Sequence, residues 1–162
     1  LKEKIIERIV ITRPVVEAGE NLGFLPGDLQ DKINPYLRPI YDSLEEILPK
    51  KKIKQFIDNG IIEIVPLAYM RGRTLKNSYI LLDEAQNTIS SQIKMFLTRM
   101  GKNSKIIITG DITQIDLKSK KESGLVDAVK RFNNTEGIEI VQLKDQDVLR
   151  HKLVKKILSK YN

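Results

Sequence analysis

The sequence contains no cysteine. Disulfides and thiolate-bound metals are therefore excluded, which accords with a reducing, cytoplasmic setting. It contains a single histidine, His151. Neither a histidine-clustered metal centre nor a Ser-His-Asp triad can be built from one imidazole, and His151 reads as structural. No apolar run approaches the ~18 residues that a membrane-spanning helix requires, so no membrane partner is expected. Internal repeats and low-complexity tracts are lacking too. Leu1 is not an initiator methionine, so the chain reads as a piece of something longer. Acidic residues are in deficit: 28 Lys and Arg against 21 Asp and Glu give a formal charge of +7. A surplus of that sign suits a polyanion such as RNA, and it also serves plain solubility.

What is present describes one domain. Apolar residues make up 41% and charged residues 30% of 162, a globular balance for a chain able to hide roughly 70% of its unfolded surface. Five short runs rich in β-branched residues stand out: residues 8–12 (R-I-V-I-T), 61–65 (I-I-E-I-V), 79–82 (Y-I-L-L), 105–109 (K-I-I-I-T) and 138–143 (I-E-I-V-Q-L). Their near-continuous apolarity suits parallel strands covered on both faces. Helical spacing appears between them, over residues 35–48, 52–59, 88–100, 123–132 and 147–160. Strands alternating with helices predict an α/β three-layer sandwich around a mostly parallel sheet. Residues 18–28 (A-G-E-N-L-G-F-L-P-G-D) read as a structured loop, long enough to suggest a role.

The chemistry is concentrated at two strand ends. Residues 79–87 read Y-I-L-L-D-E-A-Q-N, an apolar strand that runs into Asp83 and Glu84. In an open parallel sheet, ligands bind outside the carboxyl ends of the strands. Alone, the pair fits a helix cap better, with Asp83 or Asn87 as the capping residue. Residues 105–116, K-I-I-I-T-G-D-I-T-Q-I-D, repeat the pattern with Gly110, Asp111 and Gln114. Two strand ends presenting carboxylates and glutamine amides suit a nucleoside-triphosphate engine. One carboxylate holds Mg²⁺, its neighbour polarises the attacking water, and a polar residue on the next strand senses the γ-phosphate.

These residues carry a resemblance. Y-I-L-L-D-E-A-Q-N resembles a Walker B segment of the D-E-x-Q kind in superfamily 1 helicases, and T-G-D-I-T-Q-I-D resembles their motif III. Thr12, Arg13 and Pro14 stand where those proteins carry a nucleic-acid-contacting motif. With I-T-R-P-V-V-E-A-G-E-N-L-G-F-L-P-G-D-L, P-L-A-Y-M-R-G-R-T-L, M-F-L-T-R-M-G, S-G-L-V-D-A and D-V-L-R-H-K-L-V, the chain over residues 8–161 is similar to the PhoH family of bacterial ATPases. The resemblance implies a P-loop NTPase fold of the RecA or helicase type, with ATP and Mg²⁺ as ligands. It makes Asp83 the Mg²⁺-associated carboxylate, acting through water, and Glu84 the general base. Gln86 and Gln114 then couple nucleotide state to neighbouring elements, with Gly110 and Asp111 beside the nucleotide. Thr12 and Arg13 lie near nucleic acid or the nucleotide edge. It further implies RNA metabolism and a homo-oligomeric ring.

One expected element is lacking. A P-loop ATPase uses G-x-x-x-x-G-K-[ST], whose amides and lysine hold the phosphates. The only Gly-Lys pair is Gly101-Lys102, with Asn103 after it and Phe96 where the first glycine belongs. The family's P-loop precedes the T-R-P strand, which puts it upstream of Leu1. The chain then represents the carboxyl-terminal portion of one ATPase domain and should not hydrolyse ATP by itself. Strand 105–109 is expected to lack a neighbour, and strand 138–143 to lack a partner.

Remaining basic residues leave alternatives open. Arg71 and Arg73 suit a γ-phosphate contact to a neighbouring subunit, an RNA phosphate contact, or a solvated loop. Arg150 resembles a late nucleotide-sensing arginine, or it pairs with Asp145 or Asp147. Residues 49–54 (P-K-K-K-I-K) and 118–121 (K-S-K-K) lack interleaved aromatics and read as solvated faces or phosphate contacts. Two other functions compete with the ATPase: a two-ion nuclease using Asp83, Glu84, Asp111 and Asp116, and a non-catalytic RNA-binding or oligomerisation fragment.

Overall fold

The computed structural model describes residues 6–15, 29–119, 122–144, 147, 152–158 and 160. The segment 18–28, Lys120, Lys121, Arg150 and His151 lie outside the described residues. The chain divides into two compact units, residues 1–131 and 132–162.

The first unit is built on four strands: β1 (Arg8–Arg13), β2 (Ile62–Pro66), β3 (Ser78–Leu82) and β4 (Lys105–Ile108). They lie in the order β2-β1-β3-β4, and all pairings are parallel. The register sets Thr12 opposite Val65 and Leu82, and Leu82 opposite Ile108. Four of the five expected strands are therefore present to within a residue at each end.

Alternation along the strands directs the side chains to two faces. On one face Ile11 and Ile62 form a core with Ile33, Leu37 and Ile40 of α1 (Leu29–Ile47), and Phe56 and Ile57 of α2 (Lys50–Asp58) pack around it. Each such buried aliphatic side chain contributes roughly 1.5–3 kcal/mol. On the other face Val10, Ile80 and Leu82 are wholly buried, as are Met70, Leu75, and Ile93 and Phe96 of α3 (Ser90–Leu97). The unit is thus an α/β fold with a parallel sheet, consistent with a P-loop NTPase-type domain. No helix among the described residues is long and apolar enough to cross a membrane.

Three elements differ from the sequence reading. Helix α1 begins at Leu29, six residues before Pro35, and carries Pro35 and Pro39 within it. Proline removes a helical hydrogen bond and normally marks a first turn, but burial of Ile33 and Leu37 on one face holds the extra turns in place. Helix α3 is shorter than residues 88–100. A 3₁₀ turn, Ala85–Asn87, precedes it and Thr88 is extended, because Gln86 and Asn87 turn their amides to the loop after β4. The strand expected at 138–143 is absent. In the second unit these residues form no ladder, and Val141 and Leu143 are each 74% exposed. A strand exists only through a hydrogen-bonded neighbour, and none is present for it among the described residues.

Helix α4 (Gly124–Phe132) follows the loop after β4. The Gly124 amide donates to the Thr88 carbonyl at 2.6 Å. A Cβ on Gly124 would stand 2.7 Å from the Ile89 backbone, so only glycine permits that approach. In the second unit α5 (Lys152–Leu158) occupies part of the expected helix 147–160. Strand β4 forms the edge of the sheet, and Ile107 on it is 39% exposed. This is the flank on which the sequence reading puts a further strand.

Candidate functional site

Strands β1, β3 and β4 end side by side. Arg13 closes β1, and past the carboxyl ends of β3 and β4 lie Asp83-Glu84 and Thr109-Gly110-Asp111. The ladder continues beyond the strands proper. Asp83 donates its amide to the Thr12 carbonyl at 2.9 Å, Thr109 to Leu82 at 2.9 Å, and Ala85 to Thr109 at 3.0 Å. The two carboxylate-bearing loops are therefore fixed at one end of the sheet by backbone bonds.

Asp83 accepts a hydrogen bond from the Thr109 hydroxyl at 2.9 Å, and its other oxygen lies 4.0 Å from the Arg13 guanidinium. Its side chain is 35% exposed, so lone pairs remain open to solvent. Glu84 has a left-handed backbone, φ 53° and ψ 39°. That conformation is uncommon outside glycine and persists where the surroundings hold it. Arg13 holds one carboxylate oxygen at 3.1 Å, and the Gln86 amide donates to the other at 2.5 Å.

Gln86 joins the two loops. Its side chain is completely buried. Beyond Glu84, its amide nitrogen donates to the Gln114 carbonyl at 3.1 Å, and its oxygen accepts the Asp111 amide at 3.1 Å. Gly110 makes room for this amide, since a Cβ there would lie 2.7 Å from the Gln86 oxygen and 2.7 Å from Leu125. Asn87 forms a second join. It donates to the Asp116 carboxylate at 3.1 Å and accepts the Asp116 amide at 2.8 Å. Asp111 turns its carboxylate inward along its own loop. It accepts from the Thr113 amide and hydroxyl at 2.8 and 2.7 Å, and from the Gln114 side chain at 2.5 Å.

Of the residues expected at a site, Arg13, Asp83, Glu84, Gln86, Gly110, Asp111 and Gln114 are gathered here. Thr12 is adjacent but wholly buried, and its hydroxyl has no partner. Its side chain presents no surface to a polymer. Arg73 lies elsewhere. Its guanidinium makes a two-pronged pair with Glu63, both contacts at 2.7 Å, and its charged form is favoured by that hydrogen bond against the opposing effect of burial. Glu63 is the second residue of β2 and pairs with Val10, which in turn pairs with Ile80. Asp83 is three residues further along, about 10 Å at strand rise. Arg71 is exposed on the turn before Gly72 (φ +77°). Arg150 lies outside the described residues.

Sequence reasoning missed three contributors: Thr109 as the partner of Asp83, the Asn87–Asp116 join, and Arg13 as the counter-charge of Glu84. The adjacency of Gln86 and Asn87, opposite T-G-D-I-T-Q-I-D, was the available signal for the first two.

The family model described as PhoH-like protein matches residues 1–162. The chain belongs to the PhoH family. It is 54% identical over its whole length to a PhoH-like protein of Bacillus subtilis, covering 51% of that protein. It is 53% identical over 155 residues to a PhoH-like protein of Synechocystis, 96% of this chain and 47% of the other. With Protein PhoH of Escherichia coli it shares 46% identity over 164 residues, 100% of this chain and 46% of the relative. The chain thus spans about half the length of the curated PhoH relatives it matches.

The donor set of this PhoH chain limits which ions it can hold. Among the described residues no three acidic or histidine side chains converge as metal ligands. Asp111 is occupied within its loop and Asp116 by Asn87, so a two-ion centre on Asp83, Glu84, Asp111 and Asp116 is not assembled. Asp83, with open lone pairs and one short partner, fits a hydrated Mg²⁺ that takes its remaining ligands from water and phosphate.

Proposed function

We propose that the protein containing this chain binds ATP with Mg²⁺ and hydrolyses it, and that it works on RNA in the cytoplasm. The observation that carries this reading is the join through Gln86 between an Asp-Glu pair and a Gly-Asp-x-x-Gln loop at the carboxyl ends of adjacent parallel strands. In it, Asp83 would hold Mg²⁺ through water, and Glu84 would take the proton of the attacking water. Mg²⁺, when bound, neutralises charge developing on the phosphoryl oxygens. Gln86 and Gln114 link the acidic loop to the loop after β4, so a shift in one is felt by the other. Phosphate binding falls to a Walker A segment outside this chain, suited to the flank of β4 that has no neighbouring strand among the described residues. The +7 charge and Arg13 support a polyanionic partner. In a homo-oligomeric ring, Arg71 is the exposed arginine suited to reach a neighbour's nucleotide, since Arg73 is committed to Glu63.

The test is Mg²⁺-dependent phosphate release by the full-length protein, with and without single-stranded RNA. The reading expects turnover abolished by chelation and reduced by Asp83→Asn. Release of phosphate unaffected by either refutes it.

A further inference from the structure

The Glu84 side chain is 37% exposed, yet both of its carboxylate oxygens already have a partner. One of its oxygens faces Arg13 at 3.1 Å and the other accepts from buried Gln86. A carboxylate that receives a proton from water needs a lone pair directed at that water, and the Arg13 contact draws one oxygen toward the guanidinium instead. Gln86 is fixed by three partners and has no exposure, so it cannot readily withdraw. Arg13 differs. It is the last residue of β1, its side chain is 20% exposed, and it reaches Asp83 only at 4.0 Å. A guanidinium is always charged, and its planar fork matches a phosphate as well as a carboxylate. Phosphate and Glu84 are therefore rivals for the same donors.

We propose that Arg13 positions Glu84 and is exchangeable: a phosphate oxygen captures its guanidinium and releases Glu84 toward water. The phosphate belongs either to a nucleic-acid backbone or to the bound nucleotide. This rests on the reading of Glu84 as proton acceptor. It extends that reading by making phosphate contact at the end of β1 the event that readies the acid loop. Linkage requires reciprocity, so whatever detaches Glu84 from Arg13 must strengthen phosphate binding by the same factor.

The experiment is a fluorescence-anisotropy titration of the full-length protein with labelled oligouridylate, without nucleotide and at low salt. Its parallel arm uses ATP with Mg²⁺ and no RNA. Glu84→Gln should tighten binding about two- to fivefold, the range of a partly exposed ion pair. Arg13→Ala should weaken binding, and in that background Glu84→Gln should change nothing. Arg13→Lys should restore part of the coupling, which separates the effect from a folding defect. Coupling seen with oligouridylate assigns the phosphate to the nucleic acid; coupling seen only with ATP assigns it to the nucleotide. Tightening that persists in Arg13→Ala reflects general removal of negative charge and overturns the proposal, as does absence of tightening in both arms. The titrations read binding alone. A protein without turnover refutes the hydrolysis reading and leaves the Arg13–Glu84 exchange to stand or fall on these affinities.

Discussion

Replacing Gln86 by leucine keeps the volume and removes the amide. Three groups lose a partner together: one oxygen of the Glu84 carboxylate, which keeps Arg13 on the other, the Gln114 carbonyl and the Asp111 amide. A neutral hydrogen bond contributes about 0.5–1.5 kcal/mol net and one to a charged group about 1.5–3. Glu84 is only half-buried and Gln114 is exposed, so water replaces part of the loss, and the three are coupled rather than additive. We expect the loop after β4 to be loosened by about 2–3 kcal/mol, a roughly 30- to 150-fold gain in opening. Hydrogen exchange of the full-length protein reads this in the peptide covering residues 105–116, where the Asp111 amide is the direct reporter. Core peptides covering β1 should exchange as before, because β1's own ladder is untouched. Unchanged exchange in the 105–116 peptide refutes the view that Gln86 joins the two loops.

Gly110→Ala places a methyl group 2.7 Å from the Gln86 oxygen and from Leu125. It should lower stability by about 1–3 kcal/mol, seen as a reduced denaturation midpoint and the same faster exchange at residues 105–116. Arg73→Ala breaks the two-pronged pair with Glu63; it should cost about 1 kcal/mol or less given the exposure of both partners, and ATP affinity by calorimetry should not move. Asp127 on α4 is held below the usual carboxylate range chiefly by its hydrogen bond with Arg131, and next by Ser90. A depressed folded value means that its contribution is present above the ordinary carboxylate range and disappears as pH falls through the lowered one. Asp127→Asn should therefore flatten the acid limb of a stability–pH curve, lowering stability slightly at neutral pH and leaving the acid end nearly unchanged.

Residues whose role follows from local pattern were legible in the sequence. Apolar β-branched runs announced β1 to β4, and the acids closing two of them marked the end of the sheet where Asp83, Glu84 and Asp111 gather. What escaped depends on partners distant in sequence. Pro35 looked like a helix start because proline usually is, and only burial of Ile33 against Ile11 explains the six residues before it. Thr88 looked helical, yet its carbonyl is taken by Gly124 and its neighbours' amides by a loop more than twenty residues away. The run at 138–143 has strand composition, but composition supplies no hydrogen-bonding neighbour. Arg73 and Arg71 look interchangeable as R-G-R, and Glu63 on β2 distinguishes them. The resemblance puts Arg13 near nucleic acid or the nucleotide edge; that it faces Glu84 needed the register of β1 against β3.

In the proposed division of labour, Glu84 activates water while Asp83 serves the metal. That division is tested most directly by measuring ATP affinity and single-turnover hydrolysis together, on full-length protein with Glu84 and with Glu84→Gln. Glutamine preserves the shape and the hydrogen bond from Gln86 but cannot accept the proton. The account predicts affinity within a few-fold of the original and hydrolysis slower by about 10²–10⁴. Hydrolysis at an unchanged rate with intact binding contradicts it and moves the base to another residue.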